Sequence, residues 1–493
     1  MKKLLKLGFA SALLCLGYSC GDEFLEKEPS QFLTADQISD AANVNPAILE
    51  STMAGAYSLT FTAGTGGTGS HTDFGQKGMD IFMDMLCSDM ALSQSVYGWY
   101  RADITEFKAP IDFTNTTNYI AWRYYYRIIR STNLIIDGLG GNDAVPALDN
   151  AKWVLGQAKA LRANSYFYLT QLYQDEYNPS QPILPLYTSL ADVNGPKVEA
   201  SVIYDLAIKD LTDAISLLSN FTRDNKSQIN KPVAQTILAY VLSAKGDYPA
   251  AYTVANDVIT NSGFTPMQGS EITGGFNQLS TPGWMWGIDL NTDTGVGLLS
   301  FWGQVDYFSY SYAGVGDFKA MDEILFSKIP ANDARKAQFA DFPTSARYLT
   351  PWYKFYDAGR VAFGAGTPVQ NDIFFYRISE VHLLAAEAAA KSQNEGASRT
   401  ILKNFMSLRV PSVTYIDNLS GQALKDEIYL QTRVELWGEG KSYLAMKRNK
   451  ATTVRGTNHL SNVGATIPYN DNRLTFEIPS AELQNNPFIS SQN

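Results

Sequence analysis

The sequence has little of what most catalytic and metal chemistry needs. Three cysteines, Cys15, Cys20 and Cys87, and three histidines, His71, His382 and His459, are spread over 493 residues. Cys15 lies inside an apolar leader, so the remaining two cysteines make neither a disulfide framework nor a zinc set. The histidines form no paired ligand motif, and no metal or cofactor is implied. After the leader no apolar run reaches the ~18 residues of a membrane-spanning helix. Basic residues number 39 against 49 acidic ones, for a formal charge of -10. Lys2, Lys3 and Lys6 sit in a leader without acids, so the rest is more acidic still. No basic stripe is present, which argues against a nucleic-acid partner.

What is there is an ordinary folding chain, 45% hydrophobic and 18% charged. It is long enough for roughly three domains' worth of core without a staple. Residues 1–19 follow the plan of a signal peptide: a basic start, an apolar run from Leu7 to Leu16, then Gly17 and Ser19 before Cys20. Cleavage near Ser19 would leave a plain exported chain. A cysteine at this point also resembles a bacterial lipobox, in which Cys20 is lipidated and becomes the first residue. Tyr18 and the early Leu16 depart from that pattern. Several acyl chains at ~0.8 kcal/mol per buried CH₂ make a lasting anchor. The acidic Gly21-Asp22-Glu23 resembles a surface-export signal.

Residues 24–50 read as a tether leading into a short helix. The glycine-rich stretch from Ala63 to Gly69 lacks the Gly-Lys-Ser/Thr ending of a phosphate cradle, and reads as a loop. Helical periodicity predicts helices over 117–137, 151–173 and 202–218, the last with Ser201 as N-cap. Residues 232–261 carry tetratricopeptide spacing in Leu238, Ala239, Leu242, Gly246, Ala251, Ala255 and Val258. Gly246-Asp247 makes the turn. Similar pairs are expected at 379–409 and 423–448, giving an interrupted scaffold rather than a continuous array. Residues 264–376 are rich in Gly, Pro, Thr and aromatics, and read as loops with short strands, Trp284 and Trp286 lying on a half-buried one.

These blocks, in order, resemble the SusD/RagB family of Bacteroidetes outer-membrane lipoproteins. The resemblance is carried by Asp22 to Pro29, by Trp122 to Asn133, and by Gly156-Gln157-Ala158-Lys159-Ala160-Leu161-Arg162-Ala163 with the aromatics that follow. It continues through Tyr204 to Leu218, Asp333-Ala334-Arg335, Arg377-Ile378-Ser379-Glu380, Glu435 to Gly440, and the terminal Asn486-Pro487 and Gln492-Asn493. Gln431-Thr432-Arg433 departs where an acid and two arginines are common, which puts one structural ion pair in question. The resemblance implies a mainly α fold: a helical scaffold of four tetratricopeptide-like pairs with an irregular ligand-facing part. The implied organisation is a signal peptide at 1–19 and one domain over 20–493, built of an N-terminal part (20–263), a loop-rich insertion (264–376) and a C-terminal part (377–493). It also implies a non-enzymatic surface lipoprotein, anchored through Cys20, that captures a glycan, or in some relatives a peptide. The ligand then passes to a SusC-like, TonB-dependent outer-membrane barrel.

Catalytic readings fare poorly on the residues themselves. Glu435 and Glu439 are four apart on a helix but lie in a block that looks structural, no Gly-x-Ser-x-Gly elbow occurs, and Cys87 and His382 read as buried packing. Sugar binding uses rings with a flat apolar face and a polar tip. Such rings cluster outside the scaffold at Tyr97, Trp99 and Tyr100, and at Trp302, Tyr307, Tyr310 and Tyr312. Trp99 leads these candidates. A peptide ligand, or a helical scaffold holding another protein, are the alternatives.

Overall fold

A computed structural model describes residues 46–362 and 368–493. The leader, Cys20 and the residues read as a tether lie outside them. Eleven helices carry the scaffold: α1 (Pro46–Ser58), α2 (Gln76–Leu86), α3 (Thr116–Gly138), α4 (Asp149–Tyr173), α5 (Ala200–Leu217), α6 (Lys231–Lys245), α7 (Tyr248–Asn261), α8 (Ile378–Lys391), α9 (Glu395–Met406), α10 (Gly421–Glu435) and α11 (Lys441–Arg448). Among the described residues no helix is long and apolar enough to cross a membrane.

The helices start and stop where local chemistry says they should. Asn115 caps α3 by accepting from Thr117 N at 2.8 Å. Between α6 and α7 the chain reverses on Gly246, whose φ of 87° suits glycine, and the Asp247 side chain accepts from Ala250 N. Ala239, Ala251 and Ala255 are fully buried at the crossing, where small side chains let the two helices approach. Asn394 caps α9 in the same way. Ser201 is not a cap: α5 begins at Ala200, and the N–H groups of Ala200 and Ser201 donate to the carbonyls of Gln181 and Pro179. Backbone acceptors from a neighbouring loop do there what a cap would do.

Successive helices from α3 to α7 pack side by side, and α7 packs directly against α8, which carries α9 and α10. The scaffold is thus interrupted in sequence but continuous in space, which corrects the expected broken array. Two crossings are fixed by polar groups. At α4–α5, Arg162 makes a two-pronged contact with Asp210 (2.8 Å each), and a Cβ on Gly156 would come within 2.9 Å of Leu218. Beneath α8, Arg377 donates to Glu439 and Glu435, Arg409 to Glu435, and Lys354 lies 2.9 Å from Glu439, all buried. Gln431 takes the place of the expected acid, its amide oxygen accepting from Arg335, which also pairs with Asp333 and Glu435. Arg433 pairs instead with Asp89.

Four two-stranded antiparallel sheets tie the loops down: β1 (Met90–Gln94) with β5 (Phe318–Met321), β2 (Pro182–Pro185) with β3 (Lys197–Glu199), β4 (Trp284–Ile288) with β6 (Ile373–Arg377), and β7 (Thr452–Val454) with β8 (Thr466–Pro468). β4 is buried along its whole length, not half-buried, because it is covered on both faces; Trp286 donates its indole N–H to Ser227 O at 3.0 Å. The irregular excursion leaves from β4 and returns through β6 straight into α8. Within it, β5 pairs with β1, Met90 opposite Met321. That pairing brings residues 95–100 beside residues 301–317.

Candidate functional site

Two short segments meet where β1 ends. Beyond Gln94 the chain turns on Gly98 (φ 83°), with Gly98 N donating to Ser95 Oγ. Opposite lies the loop from Asp306 to Asp317, held at each end by its own carboxylate. The buried carboxylate of Asp317 accepts from Val96 N and from Tyr97 N (3.1 Å). Asp306 accepts from Phe308 N, Ser309 Oγ and Asp357 N, the last at 2.9 Å. Burial raises its pKa to about 6.

Around the Asp317 end the rings form a platform. His71, delivered by the glycine-rich loop, stacks on Trp99 at 4.6 Å with 6° between planes. Tyr312 stands edge-on to Tyr97 (5.1 Å) and Trp99 (5.9 Å), and its hydroxyl is hydrogen-bonded to His71 Nδ1. Burial lowers the His71 pKa, which keeps the imidazole neutral near pH 7, and raises that of Tyr312. The loop bringing His71 folds around Asp73, which accepts from Gly66 N (2.8 Å) and Thr68 N. A carboxylate at its centre suits a structural loop and opposes a phosphate. Below the platform, Gln304 donates to His71 O and accepts from the buried Lys319.

Around the Asp306 end lies a second cluster. Trp352 packs against Tyr307 (5.4 Å), Phe308 (5.0 Å) and Phe342 (5.9 Å). Arg347 covers Tyr307 with its guanidinium 4.2 Å from the ring centre, and Arg360 lies 4.3–4.5 Å from Phe308, Tyr353 and Tyr356. Tyr310, 52% exposed, crowns the loop between the clusters, and Tyr97 is 59% exposed beside the platform.

Four of the seven aromatic candidates are therefore brought to one irregular face, Tyr97, Trp99, Tyr307 and Tyr310, with Tyr312, 5% exposed, buried behind them. Two are not. Tyr100 points into the core against Phe82 (5.4 Å), with the Lys319 ammonium 5.5 Å from its ring, and Trp302 is buried edge-to-face with Phe301. Neither ring can meet a ligand. Their neighbours arrive through the β1–β5 pairing, which no local pattern announces. Sequence reasoning also missed His71, Trp352, Arg347 and Arg360. The run of aromatics from Phe342 to Tyr356 was the available signal for Trp352.

The enzymatic candidates are occupied elsewhere. Glu435 and Glu439 are saturated by arginines and a lysine, which hold the Glu435 carboxyl well below its usual range despite burial. Cys87 is buried at the end of α2 and its thiol is pushed up by burial, an inert state. His382 is lowered to about 4 by burial and stacks on Phe405. Among the described residues no group of three or more metal-ligating side chains is assembled. A cavity of about 570 Å³ between α1, α4 and β4 is lined by Tyr57, Phe61 and Gln157, away from the exposed rings.

Comparison with known proteins matches residues 23–242 to a SusD-like family described as starch-binding and associating with the outer membrane. A SusD-like protein, P25, of Formosa agariphila is 21% identical over 250 residues, 50% of this chain and 44% of that one. The chain thus matches less than half the length of that curated relative. Among solved structures, a SusD-like carbohydrate-binding protein of Bacteroides vulgatus superposes with a TM-score of 0.76 at 24% identity, covering 90% of this chain and 97% of the other. A SusD superfamily protein of Bacteroides thetaiotaomicron gives 0.75 at 23%, covering 91% and 100%. A laminarin-binding SusD-like protein gives 0.65 at 17%, covering 91% and 98%. The chain thus resembles SusD-like proteins by a family match over residues 23–242 and by a fold shared over about nine-tenths of its length.

Proposed function

We propose that this protein captures an oligo- or polysaccharide at the cell surface and hands it to a TonB-dependent outer-membrane barrel, without chemically altering it. The observation that carries the reading is the ring platform of exposed Tyr97 and half-buried Trp99 and His71, backed by the buried Tyr312. Flat rings fixed by stacking, with polar tips at their edges, match the C–H faces and hydroxyls of sugar rings. An extended chain needs such a strip and not a closed pocket. The laminarin-binding relative supports a glycan over a peptide. In this reading Cys20 carries the lipid anchor, and a Cys20→Ala chain would leave the membrane fraction.

The test is calorimetric titration of the chain from Gly21 onward with a panel of polysaccharides and a peptide mixture. Saturable glycan binding, weakened about tenfold by Trp99→Ala, is expected, the loss of a stacked ring being worth roughly that much. Binding to peptides alone would overturn the glycan reading, and glycan binding untouched by Trp99→Ala would move the site elsewhere.

A further inference from the structure

In this acidic chain most buried arginines are neutralised one by one, Arg162 by Asp210, Arg377 by Glu435 and Glu439, Arg409 by Glu435 and Arg448 by Glu387, while Arg455 spends its donors on the carbonyls of Thr105 and Ser461 and the hydroxyl of Ser88. Arg347 and Arg360 are different. Both are half-buried on the ligand face, and neither has a carboxylate within ion-pair distance among the described residues. Arg347 donates one N–H to Tyr307 Oη (2.7 Å) and Arg360 one to Trp352 O (3.0 Å). A guanidinium has five N–H donors, so each keeps most of its fork unspent. Both cations also flank the same indole, 5.9 and 5.6 Å from the centre of Trp352. Stacking on Tyr307, Phe308, Tyr353 and Tyr356 fixes their planes, so little freedom remains to be lost when an anion docks. Arg360 is held with φ at 48°, a left-handed backbone that a non-glycine residue adopts only when its surroundings impose it.

A planar donor fork, fixed and with no carboxylate paired to it among the described residues, matches the paired oxygens of a sulfate or carboxylate. We propose that Arg347 and Arg360 form an oxyanion-reading edge of the ligand face, so that the captured glycan carries sulfate esters or uronate carboxylates. This rests on the glycan-capture reading and narrows it.

The experiment titrates the chain from Gly21 onward with four probes: carrageenan, the same carrageenan chemically desulfated, alginate, and laminarin. Carrageenan separates sulfate from its own backbone, alginate supplies carboxylates, and laminarin is neutral. Expected is binding to carrageenan or alginate, at least about tenfold tighter than to the neutral probes, and weakened about tenfold by Arg347→Gln and by Arg360→Gln. Raising salt should weaken the parent chain more than the double variant. Trp99→Ala should weaken charged and neutral probes alike. Neutral glycans bound as well as charged ones, with the arginine variants silent, would overturn the oxyanion edge and leave glycan capture standing. Charged probes bound but indifferent to both arginines would also overturn it. No binding to any probe would overturn both readings. If Arg360→Gln melts early, Arg360→Lys decides, since it keeps the charge and loses the fork.

Discussion

The arginines of the scaffold and those of the irregular face show two uses of one side chain. Arg377 is fully buried and every hydrogen bond its guanidinium donates goes to Glu435, Glu439 or the Glu435 carbonyl. Arg360 rests on four aromatic rings and meets no acid among the described residues. The first kind locks helices together because any loose end would be an uncompensated charge in a dry interior. The second kind is supported without being neutralised. Arg377 and Arg360 thus differ in the partner as well as in the burial.

The sharpest way to break that contrast is to remove a scaffold arginine. Arg377→Met leaves Glu435 and Glu439 under-compensated and should cost about 3–5 kcal/mol in urea unfolding. The corresponding change at Arg360 should leave stability within about 1 kcal/mol. Acid should loosen the scaffold. The arginine-paired carboxyls of Glu435, Glu439 and Glu387 are held below their usual range, Glu387 at about 2, with burial opposing and the paired cations prevailing. Their stabilisation is fully present above the unfolded value near 4.5 and is lost as pH falls toward 2. A melting temperature that drops steeply across that window, and less so in Glu387→Gln, would bear this out. Next in size is Asp317→Asn, which weakens the clamp on Val96 and Tyr97 and should cost roughly 1–3 kcal/mol, with glycan affinity falling alongside. Smallest is Tyr310→Ala, expected to shift stability by no more than about 0.5 kcal/mol, measured by thermal unfolding.

The sequence made the scaffold legible because helical spacing is local. Leu238, Ala239, Gly246, Ala251 and Ala255 announce both a helix pair and its turn, and the structure places them so. The irregular aromatic face was legible only as aromatic density. Tyr97 and Tyr100 are three residues apart and equally aromatic, yet one faces solvent and the other the core. Their difference is set by a left-handed turn at Tyr100 (φ 64°) and by partners more than 200 residues away. His71 had no spacing to mark it, and its role exists only because Tyr312 and Trp99 arrive beside it. At Gln431 the missing acid suggested a lost contact, whereas the amide oxygen keeps Arg335 in place.

The pairing of β4 with β6 has a further consequence. The excursion departs and returns at adjacent strands, and the helices on either side already stack on each other. Its length and content can therefore drift while the scaffold's threading stays the same. In topological terms the excursion is a cassette, replaceable between two paired strands without re-threading the helical frame.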